Sequence, residues 1–260
     1  MSARVERVVA EIVDWIREKV AEAGAVGTVV ALSGGIDAAV TAALCQRAFP
    51  RQTLGVIMPC HSHPDDEADA RLHARQAGIP VVTIDLTPVY DTLLAGIEQA
   101  WRGPGAPPAP EEGPAADDAR RRLALANIKP RLRMTALYYV ANRFNYLVVG
   151  TENRSELTVG YFTKHGDGGV DILPIAGLVK TQVYELGRFL GVPEKIINRT
   201  PGAGLWPGQT DEDELGLTYA ELDRYILTGD AAPEVKAKID RLHRISEHKR
   251  RRPPIADVRW

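Results

Sequence analysis

Hydrophobic residues return at helical spacing as soon as the chain begins. In MSARVERVVAEIVDWIREKV, Val5, Val8, Val9, Ile12, Val13, Ile16 and Val20 share one face and charges occupy the other, which predicts an amphipathic helix rather than a leader peptide. The pattern then changes to short β-rich runs at 28–32, 53–58, 81–86 and 146–149, apolar enough to be buried on both faces. Helical patterns lie between them at 37–49, 64–76, 87–101 and 127–144, the last with Asn127 as its cap and Pro130 in its first turn. Strands alternating with helices predict an α/β fold, one domain over residues 1–260 with an open, mainly parallel sheet and helices on both faces. In such sheets ligands gather beyond the carboxyl ends of the strands, so the segments after Leu32, Met58, Leu86 and Val149 are expected to line a site.

Two stretches break the alternation. Residues 103–116, GPGAPPAPEEGPAA, read as a mobile surface linker without chemistry. Residues 201–216, PGAGLWPGQTDEDELG, carry Trp206 and an acidic run and read as a lid. Thirty-two Lys and Arg against 34 Asp and Glu give a formal charge of -2, so no global field favours nucleic acid or a membrane, and no apolar run is long enough for a membrane span. Cys45 and Cys60 lack metal or CxxC spacing and fit reduced packing thiols, consistent with a cytoplasmic protein. The histidines and acids of CHSHPDDEADA (60–70) fit a helix start better than a metal site, with Ser62 or His63 capping, Pro64 next and acids in the first turn. His73 is expected on a solvated helix face.

The most informative segment is ALSGGIDAAV. Ala31 and Leu32 end a buried strand, Ser33-Gly34-Gly35 makes a tight turn, and a helix opens at Ile36, Asp37 and Ala38. Unpaired backbone N–H groups and the positive end of a helix dipole converge there, an arrangement suited to phosphate or pyrophosphate. Neither the Walker ending G-K-[ST] nor GxGxxG is present. SGGxD resembles the loop of the N-type ATP pyrophosphatases. NIKPRLRM (127–134), GTENRSELTVGYFTKHGDGGVDILPIAGLVK (150–180) and LWPGQTDEDELG extend the resemblance, over nearly the whole chain, to ammonia-dependent NAD synthetase.

That resemblance implies an adenine nucleotide alpha hydrolase-like fold and a ligase that adenylates the nicotinate carboxylate of deamido-NAD with ATP and amidates it with ammonia. Free ammonia is expected as donor because no glutaminase domain fits before Ser33. It implies ATP contacts along residues 31–38 and from Thr151, Lys180 and Gly202. Mg2+ would be held by Asp37 and Glu156, whose hard oxygens suit that ion. Deamido-NAD would meet Arg131, Lys164, Asp171, His248 and Lys249, and Asp167 would hold ammonium and help it lose a proton, with Lys180 on the ATP phosphates. A homodimer with deamido-NAD near the subunit interface is also implied. Each residue has a plainer alternative: a helix cap for Asp37, a loop acid for Glu156, turns for Thr151 and Asp167, a charged helix face for Arg131 and a solvated basic tail for 248–252.

Position 38 departs from the family's SGGxDS by carrying Ala, and Gly202 replaces a usual Ser or Thr, so two hydroxyl donors to ATP are missing. Other readings are a related adenylating amidotransferase acting on a purine nucleotide or tRNA, or a non-catalytic ATP-binding member. If position 38 matters through its hydroxyl, Ala38→Ser should lower the KM for ATP; an unchanged KM removes that hydroxyl from the account.

Overall fold

In the computed structural model, which describes residues 2–105, 114–206, 208–258 and 260, the β-rich runs pair as expected. β1 (Gly27–Ala31), β2 (Thr53–Ile57), β3 (Val81–Thr83) and β4 (Tyr146–Val149) form an all-parallel sheet in the order β3-β2-β1-β4. Thr28 lies opposite both Thr53 and Leu147, so β1 is central. From β1 the chain builds outward to β2 and β3, then returns to place β4 on the other side of β1. The crevice between the ends of β1 and β4 is therefore the switch point where such sheets bind ligands.

Parallel strands need helical crossovers, and these cover both faces. One layer comprises α1 (Ser2–Glu22), α2 (Ile36–Ala48), α3 (Pro64–Ala77), α7 (Lys180–Leu190) and α8 (Glu194–Ile197); the other is α4 (Thr87–Trp101) and α5 (Pro114–Phe144). Alternation along each strand decides which layer a side chain meets. Val30, Ile57 and Val149 pack with Ile16, Val20, Val40, Leu44, Val183 and Leu186, whereas Val29, Val56 and Val148 pack with Tyr90, Leu137, Val140 and Ala141. A third cluster joins α6 (Arg154–Val159), α9 (Asp211–Leu215), α10 (Tyr219–Thr228) and α11 (Pro233–Ile245) through Val159, Leu215, Leu222 and Ile239. The short α12 (Glu247–Arg250) follows.

Several sequence expectations are corrected. β3 is three residues long and only partly covered, because as an edge strand it pairs with β2 alone. α5 begins at Pro114, not Asn127, so Pro130 lies inside the helix and residues 114–116 are helical; 106–113 of the expected linker lie outside the described residues. Tertiary contacts override the local signal: Asn127 receives the Thr163 hydroxyl at 2.8 Å, and the C-terminal half of α5 is anchored on the sheet. The end of the expected lid is the helix α9, its N-terminus capped by Thr210, which accepts the Asp213 N–H. His63 caps α3 with Pro64 following, as expected. His73 is buried, not solvated: α3 turns this face toward α2, and burial lowers its pKa. Both cysteines are free and buried, and burial pushes the Cys45 thiol up to about 12. No helix among the described residues is long and apolar enough to cross a membrane.

Two local devices shape the switch point. Gly34 has φ +84°, and a Cβ there would stand 2.5 Å from the Asp66 carbonyl oxygen, so the turn after β1 both needs a left-handed residue and packs backbone to backbone on α3. The buried Asp223 of α10 accepts the Ser155 hydroxyl at 2.5 Å and the Thr181 N–H at 2.8 Å, while Ser155 Oγ in turn accepts the Lys180 N–H. A side chain from another helix thus caps α7, whose own N-cap, Val179, has no side-chain oxygen.

Gly34→Ala should destabilise the protein by about 2 kcal/mol or more in urea unfolding, from left-handed strain plus the carbonyl clash. Asp223→Ala, which orphans two buried donors, should cost about 2–3 kcal/mol, while Asp223→Asn should lose less because it keeps an acceptor.

Candidate active site

Strand ends and helix starts converge on a cavity of about 540 Å³ at the switch point. Its wall includes Ala31, Leu32, Ser33, Gly35, Ile36 and Asp37 from the turn after β1. Gly35, the N-cap of α2, is extended and no side chain caps it, so the first N–H groups of this thirteen-residue helix face an anion site without an internal competitor. Ser33 Oγ accepts the Gly35 N–H at 3.3 Å, which stabilises the turn. Gly34 of the turn and Ala38 of α2 are not in the wall; Ala38 is buried behind it.

Three residues beyond Thr151, which also lines the cavity, the GTENRSE segment begins α6 with a capping box. Asn153 Oδ1 accepts the Ser155 and Glu156 N–H groups, and Glu156 Oε2 accepts the Asn153 N–H. The remaining amide hydrogens of Asn153 reach across the crevice: Nδ2 donates to Asp37 Oδ1 at 2.9 Å. The cap of one helix therefore orients the first-turn acid of another.

Asp37 and Glu156 then meet on one cation. Lys180 Nζ lies 2.5 Å from Asp37 Oδ2 and 3.3 Å from Glu156 Oε1, and all three side chains are largely or fully enclosed. A lysine opening α7 runs against the helix dipole. Burial also opposes its charge, but Asp37 and Glu156 outweigh burial and hold its pKa above the ordinary lysine value. Glu156 shows the converse: burial first, then the Asp37 charge, push it up to about 8, against the pull of Lys180. Tyr219 completes the floor. Its hydroxyl donates to Asp211 Oδ2 at 2.9 Å and sits 3.3 Å from Glu156 Oε1, and its ring lies 4.9 Å from Lys180 Nζ.

Two carboxylates within reach of one buried positive centre are a donor set of hard oxygens suited to a divalent ion. Among the described residues no third acid or histidine joins them as a ready-made cage, so phosphate oxygens and water would supply the remaining ligands, the usual habit of Mg2+.

The other expected residues divide. Asp167 lines the cavity, open to its solvent, and accepts the Thr163 N–H at 2.8 Å; the enclosing walls raise its pKa. Arg131, Lys164, His248 and Lys249 also line the cavity, each cation held through backbone oxygens. Arg131 reaches the Lys164 carbonyl, Lys164 Nζ the His248 carbonyl at 2.7 Å, and Lys249 Nζ the Gly160 and Phe162 carbonyls, both at 2.7 Å. Lys249 is thus part of the wall and not of a solvated tail. Asp171 is not brought to the cavity: its oxygens take the Tyr138 hydroxyl and the Val148 N–H on an exposed face beside α5. Gly202 lines the cavity, and a Cβ there would come within 2.7 Å of the Gln209 carbonyl oxygen, because the 201–210 loop doubles back on itself.

Sequence reasoning missed Arg133, Glu152, Arg199 and Asp211, all in the cavity wall, and Tyr219 beneath it. Arg133 donates to the Met58 carbonyl at 3.1 Å and Arg199 pairs with Asp66 and Asp69. Arg133 and Glu152 stood inside the recognised segments, whereas Tyr219 lies on an ordinary amphipathic helix and carried no local signal.

Comparison with known proteins matches this architecture. The NAD synthase family profile matches residues 8–253. An NH(3)-dependent NAD(+) synthetase of Carboxydothermus hydrogenoformans is 51% identical over 94% of this chain and 95% of its own length. Among solved structures, NMN synthetase from Francisella tularensis superposes with a TM-score of 0.87 at 34% identity, over 98% of this chain and 99% of that one. NH3-dependent NAD synthetase from Campylobacter jejuni, in complex with nitrate, gives 0.73 at 28% identity, over 97% and 99%. With its switch-point cavity, SGG turn and full-length similarity, the chain belongs to the NAD synthase family of amide-forming ligases.

Proposed function

We propose that this chain forms NAD from deamido-NAD, ATP and ammonia, releasing AMP and pyrophosphate. The carrying observation is the convergence of Asp37, Glu156 and Lys180 beside the uncapped start of α2, inside one cavity. The nicotinate carboxylate oxygen attacks the α-phosphorus of ATP, and ammonia then displaces AMP from the acyl-adenylate. No nucleophilic side chain is needed; alignment and charge neutralisation suffice. The turn at 33–35 and the α2 N-terminus take the departing pyrophosphate, and Lys180 balances the charge that develops on it. Asp37 and Glu156 would hold Mg2+, which when bound withdraws charge from the phosphates. Thr151 and Gly202 border the nucleotide, the latter through its backbone.

Arg131, Lys164 and His248 give the dinucleotide end a basic wall, and Asp167 faces the ammonium. Asp171, exposed with Tyr138 beside α5, joins the substrate reading through a homodimer whose interface borders the dinucleotide. An uncovered apolar stripe supports that assembly: Val89, Leu93, Ile97 and Trp101 recur every four residues on α4 and are exposed. A cytoplasmic location, where deamido-NAD and ATP are available, fits this reaction.

One observation favours a second acceptor. The higher superposition with the Francisella NMN synthetase than with the Campylobacter NAD synthetase makes a mononucleotide, the deamido form of NMN, the competing substrate.

With ATP, Mg2+ and ammonium, deamido-NAD should yield NAD, AMP and pyrophosphate in equal amounts, with kcat/KM above that for nicotinate mononucleotide; the reverse preference assigns the mononucleotide role. Lys180→Met should lower kcat by about a hundredfold or more, the order expected for losing one preorganised charge at the reacting phosphates. In sedimentation the wild type should be a dimer and the double variant Leu93→Asp, Ile97→Asp a monomer; a monomeric wild type overturns the interface.

A further inference from the structure

Glu152 is a buried acid of the cavity wall that the reaction as described does not use. It follows Thr151 beyond β4, is only 3% exposed, and lines the cavity. Its Oε2 is buried without a hydrogen-bond partner, in contrast with Asp37 and Glu156, whose oxygens are engaged by Asn153, Lys180 and Tyr219. The absence of a side chain at Gly150 makes room for it: a Cβ there would stand 2.7 Å from Glu152 Oε2. Asp167, from the loop opposite, has Lys249 and Arg133 within electrostatic reach, but the charges acting on Glu152 are acids, Asp167 before Glu156. Burial and then the Asp167 charge raise its pKa well above the carboxylate range. A buried carboxyl sharing a cavity with a second carboxyl, with one oxygen unpartnered, is a site that lacks a small cation.

We infer that Glu152 is a second carboxylate of the ammonium site, and that with Asp167 it takes up the two protons released when ammonium becomes amide nitrogen. The inference rests on the amidation proposed above. The cation that reaction consumes is ammonium, and its conversion has a fixed proton count. One proton passes from ammonium to one carboxylate, freeing the nitrogen lone pair. The lone pair forms the C–N bond at the acyl carbon, and the C–O bond to the phosphate breaks with its electrons leaving on AMP. A second proton then leaves the new nitrogen for the other carboxylate. One acid would have to discharge its first proton before accepting the next; two acids in one cavity take one apiece and return both to the cavity's solvent.

The test is Glu152→Gln, which keeps the shape and removes the ionisable acid. Its KM for ammonium should rise about tenfold or more, the scale of losing one close charge, while the KM values for ATP and deamido-NAD change by less than about twofold. Hydroxylamine, uncharged near neutral pH, should restore turnover of the variant to within about twofold of wild type, with the hydroxamate as product, because it arrives without the proton Glu152 is meant to remove. Glu152→Asp, which keeps the charge, should hold its ammonium KM within about threefold of wild type. An unchanged ammonium KM in Glu152→Gln, or equal loss with ammonium and hydroxylamine, overturns the inference while leaving the amidation reading intact. A wild type that makes no amide from either acceptor overturns both.

Discussion

A lysine enclosed between two carboxylates organises this molecule. Lys180 opens a helix, where the backbone dipole disfavours a cation, and it is buried, where water cannot compensate it. It is tolerable there only because Asp37 and Glu156 converge on its ammonium group. Those three residues come from the start of α2, the start of α6 and the start of α7, so one ion cluster pins three helix N-termini around the crevice between β1 and β4. Removing any member would leave buried charge without compensation, which ties the integrity of the site to the packing of the α2–α7 layer and of the third cluster around α6.

The cluster is held by caps instead of by long flexible side chains. Asn153 caps α6 and orients Asp37; Asp223 caps α7 and fixes Ser155, which accepts the Lys180 N–H. Each cap satisfies backbone donors that would otherwise be orphaned, and each also sets the position of a functional side chain. Of α2, α6 and α7, only α2 keeps a side-chain-free N-terminus. Among these neighbouring helix starts it is the place left open for phosphate, and the chemistry proposed for the site follows from that asymmetry.

What could be read in the sequence was local or periodic. The amphipathic face of α1, the four strands and the SGG turn were legible because spacing alone determines them. The extent of α5 was not: Pro130 is a strong local stop, overridden by packing from residues distant in the chain. His73 was misplaced for a similar reason, since burial depends on α2 lying across that face. At the site, Asp37, Glu156 and Lys180 were recognised through motif segments, but their common meeting point is a tertiary fact. Tyr219 and Asp223, on α10, approach from about forty residues beyond Lys180 in sequence, and nothing in their own helix marks them. Gly202 looked like a lost ligand; the fold gives it a backbone reason, the close approach of the Gln209 carbonyl.

The account stands or falls on where nucleotide and metal settle. A crystal structure with a non-hydrolysable ATP analogue and Mn2+, located by its anomalous signal, should place the β- and γ-phosphates on the N–H groups at Gly35 and the first turn of α2, with the ion bound by both Asp37 and Glu156. Phosphates bound away from that turn, or an ion held by only one of the two acids or by neither, would contradict it.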